Sequence, residues 1–342
     1  MDFAKWISFC SVIILIYIIW QVRKILLLVF TAVVLAITLN LLVEKLCKLG
    51  LKRGYGVIVA TVTFLVAIAL FFVIIVPSLV FQFQELLTLL PQGIDKIIFQ
   101  IENIKNNLSP EISDSFPDLE DILPQVQPII SDLLTRGFNF VSGFLGALLS
   151  GVLLIALTLM FLVEPTPYKQ GFVRLFPAFY RRRIGGILNR TEKDLEEWLT
   201  DTFIKIIAVS ILTFIVLFIL GIPLIAVQAL LAGILSFTPY IGPIFSVIFP
   251  VAIAFIYSPW KPWAILIIYI LIFCGVDRII IPKLRPHRVN LIPANIIIAE
   301  VIFASFLGLL GLFLVVPLTI ISQILLEEIL IKDIFDHWQR KN

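Results

Sequence analysis

Ser236-Phe237-Thr238-Pro239-Tyr240-Ile241-Gly242-Pro243-Ile244-Phe245 lies inside an apolar run, Ile222 to Tyr257, that contains no Asp, Glu, Lys, Arg or His. One membrane crossing needs about 20 apolar residues, and this run is longer. Pro239 and Pro243 each remove a backbone donor and clash with the preceding helical turn. Gly242 can take backbone angles closed to other residues. The stretch therefore predicts two half-helices meeting at a break. Irregular backbone at membrane depth survives only where protein covers it or water reaches it. Broken helices of this kind line substrate or ion sites in secondary transporters. An ordinary turn within a polytopic helix pair would account for the same residues.

The composition around this stretch is that of a polytopic membrane protein. The 342 residues are 60% hydrophobic and only 14% charged, whereas soluble domains carry about 25% charge. The formal net charge of +3 is too small to suggest nucleic acid. Cys10, Cys47 and Cys274 are widely spaced, and His287 and His337 are isolated. They offer neither a disulfide framework nor a metal site. No cofactor is expected. The apolar N-terminal run, Trp6 to Trp20, lacks a following small-residue cleavage site and reads as a retained span.

The expected fold is all-α, with about eight membrane elements, two of them broken or re-entrant hairpins. Residues 1–77 hold three spans, Trp6–Val22, Ile25–Val43 and Tyr55–Val76, the first two joined by a very short turn. Residues 78–136 carry nine acids and three bases. Their apolar residues recur at helical spacing, which predicts extracytoplasmic amphipathic helices. Span four occupies 137–164 and ends at Glu164-Pro165. Gly143, Gly146, Ser150 and Gly151 on it favour close helix approach, within the chain or between copies of a homo-oligomer. Residues 165–202 form a basic cytoplasmic loop, with six bases and no acid between Pro165 and Arg190, followed by a helix over Thr191–Asp201. Residues 203–331 form a transport core with two broken hairpins, and 332–342 a cytoplasmic tail. Under the positive-inside rule, the basic stretches 44–53, 165–190 and 277–290 place both termini on the cytoplasmic side of the cell membrane. Arg23-Lys24 runs against that placement.

An ordered series of motifs resembles the autoinducer-2 exporter family of membrane permeases. It begins with Thr31 to Asn40, Glu44-Lys45-Leu46 and Gly50-Leu51, then Arg181-Arg182-Arg183-Ile184. Its most specific part is Gly221-Ile222-Pro223 with Pro239-Tyr240-Ile241-Gly242-Pro243. Ile281-Pro282-Lys283, Val289 to Pro293 and Gly308 to Pro317 complete it. The resemblance implies transport, either export of a signal molecule or sodium or lithium–proton antiport.

Glu300 is the sharpest candidate for chemistry, an acid inside the second long apolar run, Leu291 to Leu326. Acids at membrane depth are costly and usually face an interior or a pathway. Burial favours the neutral carboxyl, which suits a proton carrier. The bland reading pairs it with a base such as Arg278 or Arg288. Thr238, Pro239, Tyr240, Gly242 and Pro243 are the candidate pathway residues of the first break, where backbone carbonyls would be exposed. Gly308 and Gly311 are those of the second. The spacing of Gly242 to Pro250 and Gly308 to Pro317 hints at a weak internal repeat. Asp277 with Arg278 reads as a gate pair or as a solvated helix end, and Asn40 as a helix cap. No Gly-Lys-Ser/Thr phosphate loop is present, so transport would draw on an existing gradient. The expected partners are membrane lipids and a small solute, or a monovalent cation and a proton. The competing reading is a non-transporting scaffold that holds a partner through 78–136.

Overall fold

In a computed structural model of the chain, residues 20–70, 148–285 and 292–328 are described, with 14, 17, 18, 73, 77 and 81 as isolated positions. Most of the first span, the acidic segment 78–136, the start of span four, His287, Arg288 and the tail 332–342 lie outside these residues. Every regular element among the described residues is helical. The chain divides into two compact units. One comprises 1–64, 148–196 and 306–342, and the other 65–147 and 197–305.

In the first unit, α1 (Arg23–Lys48) and α2 (Arg53–Leu70) follow one another. Ala36, Leu39 and Val43 of α1 pack with Val57 and Ala60 of α2 and with Leu162 of α3 (Leu148–Val163). The short turn expected between the first two spans falls at Val22, whose φ of −93° and ψ of 7° are not helical and which precedes the first residue of α1. Hydrogen bonds bridge it: Val22 N–H donates to Ile18 O at 3.0 Å, and Val22 O accepts from Leu26 N–H at 3.0 Å. Arg23 folds back across this turn. Its guanidinium lies 4.1 Å from the Trp20 ring centroid and donates to Trp20 O at 3.0 Å. Long basic side chains cover apolar surface in this way while keeping the charged head accessible. Asn40 sits inside α1 rather than capping it; its amide donates to Glu44 Oε1 at 2.9 Å and accepts from Arg53 at 3.3 Å.

Glu164-Pro165 ends α3, as expected. The chain turns by 92° into α4 (Pro165–Arg174), because Pro165 disfavours helical angles at the residue before it yet suits a first helical position. The basic stretch is therefore structured. α4 is followed by α5 (Arg181–Leu220), a continuous 40-residue helix that absorbs Thr191–Asp201. Its charged first part still buries Ile184, Ile187 and Leu195 at helical spacing. Arg183 and Arg190 are ion-paired to Glu328, at 2.7 and 2.6 Å, and Arg190 to Glu327 at 2.8 Å. These acids lie just past α10 (Val315–Leu325).

The second unit holds the broken run. α6 (Ile225–Leu235) and α7 (Ile241–Tyr257) pack as a hairpin. At 1.5 Å per residue, α6 is about 16 Å long and α7 about 25 Å, both short of a hydrocarbon core of about 30 Å. Leu224, at φ 65°, starts α6 from a left-handed conformation that costs a non-glycine residue about 1–2 kcal/mol. Gln228 Nε2, donating to Pro223 O at 2.8 Å, holds this turn. α6 crosses α5 closely: a Cβ at Gly233 would lie 2.8 Å from Ile206 O. α8 (Lys261–Leu284) continues past Val276 through a π-helical turn, Val276–Ile280. The core joins Val209 and Leu217 of α5 to Ala232 of α6, Ala254 of α7 and Ile265 and Tyr269 of α8. Trp260 and Trp263, exposed at the start of α8, suit a membrane interface.

α9 (Pro293–Phe313) is broken at Gly308, whose φ of 64° and ψ of −149° are glycine angles. The two breaks thus differ in kind, and the repeat suggested by spacing is not a conformational one. Gly242 is not left-handed, while Gly308 is. Among the described residues four helices, α1, α2, α5 and α8, are long and apolar enough to cross a membrane. The bent pair α3–α4 would make five.

Candidate functional site

The first break is built from Leu235 to Gly242. α6 ends at Leu235, and Phe237 packs edge-on against Trp198 of α5, ring centroids 5.2 Å apart. Thr238 N–H and Oγ1 both donate to Leu235 O, at 3.1 and 3.0 Å. Ser236 donates to Gly233 O from both its N–H and its hydroxyl, and Ser246 Oγ to Pro243 O at 2.7 Å. Three carbonyls flanking the break, those of Gly233, Leu235 and Pro243, are therefore bonded by neighbouring hydroxyls and amides. The two prolines withhold donors, and the nearby Ser and Thr side chains supply them. Gly242 is required by contact. A Cβ there would stand 2.6 Å from both the Leu235 carbonyl carbon and Thr238 Oγ1, and closer still to Leu235 O.

What the break offers is donors. α7 begins at Ile241 with no side-chain cap of its own, and the first N–H groups of any helix lack partners within it. Glu300, on α9, fills that role from 60 residues away. Its Oε1 accepts from Tyr240 N–H at 3.3 Å, and Ile241 N–H also donates to the carboxylate. A carboxylate at a helix N-terminus is favoured by the helix dipole as well. Glu300 is 1% exposed, so the contact is shielded from water. The buried position foreseen for Glu300 is thus present, but its partners are backbone amides rather than Arg278.

A base lies close by. Lys205 of α5, a residue 8% exposed, acts on the charge of Glu300 and donates to Asp277 Oδ2 at 2.8 Å. Asp277 sits on the π turn of α8, its side chain half-exposed. Tyr240 interacts electrostatically with both carboxylates. Asp277 reaches across to α5, while Arg278 is exposed on the same turn. A second ion pair of opposite sense, Asp201 of α5 with Arg285 at 3.3 Å, reinforces the α5–α8 contact. Further along, the buried Ser210 Oγ, Thr213 Oγ1, Gln228 Oε1 and Tyr269 hydroxyl take no hydrogen bond among the described residues.

Thr238, Pro239, Tyr240, Gly242, Pro243, Asp277 and Glu300 therefore fall in one unit, joined by Lys205. Gly308 and Gly311 belong to the other unit, Gly311 buried and Gly308 exposed. Lys205 is the residue that sequence reasoning missed. Its signal was the one that marked Glu300, a lone charge in an apolar run, Phe203 to Leu220. Among the described residues no group of three or more His, Cys, Asp or Glu converges to hold a metal.

These features define an all-α polytopic membrane protein with interior charges at a broken hairpin. The chain belongs to the AI-2E transporter family, whose model matches residues 9–331. It is 24% identical over 307 residues to the provisionally named transport protein YhhT of Escherichia coli K12, covering 86% of this chain and 82% of that one. It is 24% identical over 306 residues to the AI-2 transport protein TqsA of the same strain, covering 87% and 84%. A provisionally named transport protein of Synechocystis, sll0060, is 23% identical over 293 residues, covering 81% and 80%.

Proposed function

We propose that this protein is a proton-coupled secondary transporter of a small polar solute, with Glu300 as the titrating group. The observation that carries the reading is the placement of Glu300, buried at the N-terminus of α7 and within reach of the Lys205–Asp277 pair. Ionised, Glu300 is held by two backbone amides and by Lys205. Neutral, it holds them less strongly, leaving the N-terminus of α7 and the ammonium to a competing ligand. Proton uptake and solute binding are linked in this way because they draw on the same donors. The carbonyls of Gly233, Leu235 and Pro243 are engaged, so an oxygen-rich organic solute suits the site better than a bare monovalent cation. The name of TqsA supports an organic signal molecule as the first solute to try. The basic stretches 44–53 and 165–190 favour a cytoplasmic position in the cell membrane.

The test is proton flux in reconstituted vesicles carrying an interior pH dye. Furanone-type signal molecules, sodium, lithium and potassium are added in turn to wild type and to Glu300→Gln. The reading requires a solute-triggered pH change in wild type that Glu300→Gln abolishes. Solute uptake that is equal in the two proteins, with no pH change, would refute proton coupling through Glu300.

A further inference from the structure

The first unit contains a site that the transport reading does not use. α4 leaves α3 at 92°. When α3 crosses a bilayer, α4 therefore runs along its surface, where amphipathic helices rest with apolar side chains turned toward the acyl region. Phe172 of α4, and Leu175 and Phe179 just beyond it, are exposed accordingly. Behind α4 is a cavity of about 440 Å³, walled by Val29, Val33 and Ile37 of α1, Phe161 of α3, Phe172 of α4 and Leu188 of α5. Beside it a second cleft, of about 320 Å³, is lined by Lys169, Arg174, Arg181, Gln170 and Asn189 with no acid. Lys169 and Leu188 border both. An apolar chamber thus continues into a basic one at the level of a surface helix.

We propose that these joined cavities bind one anionic diacyl phospholipid, its acyl chain in the apolar chamber and its phosphate in the basic cleft. Basic pockets between membrane helices hold anionic headgroups by this charge complementarity. Each group has capacity for the phosphate. Arg181 spends Nε and Nη2 on Phe176 O and Arg174 O, at 3.0 and 3.4 Å, and keeps Nη1. Arg174 is exposed. Lys169 is paired with Glu192, an acid that lines only the apolar chamber, and a phosphate would share its three ammonium protons. A zwitterionic lipid fits less well, because its choline or amine would face the same bases.

The experiment is a native mass-spectrometry titration of the purified full-length protein in detergent. Phosphatidylglycerol is compared with phosphatidylcholine of the same chains and with inorganic phosphate. Phosphatidylglycerol should bind more tightly than either. Arg174→Gln, an exposed position, should weaken it about fivefold, the contribution of one base near a lipid surface. Val33→Phe, which fills the apolar chamber, should weaken it while leaving thermal stability near wild type. Equal binding of both lipids, or unchanged phosphatidylglycerol affinity in Arg174→Gln, would overturn the proposal. Inorganic phosphate binding as tightly as the lipid would overturn it too, by reducing the site to an anion cleft.

Discussion

Gly242→Ala tests the geometry of the break. The added methyl carbon would stand 2.6 Å from the Leu235 carbonyl carbon and from Thr238 Oγ1, and closer still to Leu235 O. Thr238 could rotate away, but Leu235 is backbone and is bonded in place by Thr238 N–H at 3.1 Å. The α6–α7 turn must open, and overpacking of this kind costs about 1–3 kcal/mol. Helix propensity works the other way, since alanine is better than glycine by about 1 kcal/mol. Opening the turn would also move Tyr240 N–H away from Glu300. Gly275→Ala is the matched control. It lies in the same unit, has right-handed helical angles, and nothing within 4 Å of its Cβ position. It should therefore stabilise by about 0.5–1 kcal/mol. Apparent Tm is read by tryptophan fluorescence in one detergent at one scan rate. Gly242→Ala should fall about 2 °C or more below wild type, by the usual scaling of Tm with stability, and Gly275→Ala should match or exceed it. A Gly242→Ala protein as stable as Gly275→Ala would refute the close approach at the break.

Three further outcomes follow from the ion pairs. Lys205→Met and Asp277→Asn should be non-additive, coupled by about 1 kcal/mol or more in a double-mutant thermal-unfolding cycle, because the ammonium is nearly buried against that carboxylate. Of the two variants, Lys205→Met should impair solute-driven proton flux more, since it also removes the base that acts on Glu300. In the first unit, Glu328→Gln should cost about 1–3 kcal/mol and Glu327→Gln less than about 1 kcal/mol. Glu328 is the more buried and takes both Arg183 and Arg190; equal Tm losses would contradict this ranking.

The helical membrane architecture and the first break were legible because prolines and long apolar runs act locally. Pro239 lies in the break after α6, Pro243 sits in the first turn of α7 where its missing donor costs nothing, and Pro165 likewise opens α4. Glu300 was legible as a lone acid, but its partners were not. Tyr240 N–H lies 60 residues away and Lys205 lies 72 from Asp277, distances over which periodicity carries no information. The short turn before Arg23-Lys24 was legible too, and it falls at Val22. Charge misled at one place. The run from Arg181 to Asp201 looked like a loop and a separate helix. Its buried Ile184, Ile187, Leu195 and Leu199 recur at helical spacing, and that signal was present in the sequence beneath the basic cluster. The hydroxyls of Ser236, Thr238 and Ser246 bond the carbonyls of Gly233, Leu235 and Pro243, a local role that attention to the prolines alone passed over.

Proton coupling through Glu300 requires that its carboxyl change protonation during transport. Infrared difference spectroscopy on the protein in lipid reads this directly, with pH and added solute as the two perturbations and Glu300→Gln as the reference. Wild type should show a protonated-carboxyl C=O band that grows as pH falls, changes when solute is added, and is missing from Glu300→Gln. A band set identical in wild type and Glu300→Gln, across the whole pH range in which both stay folded, would contradict it.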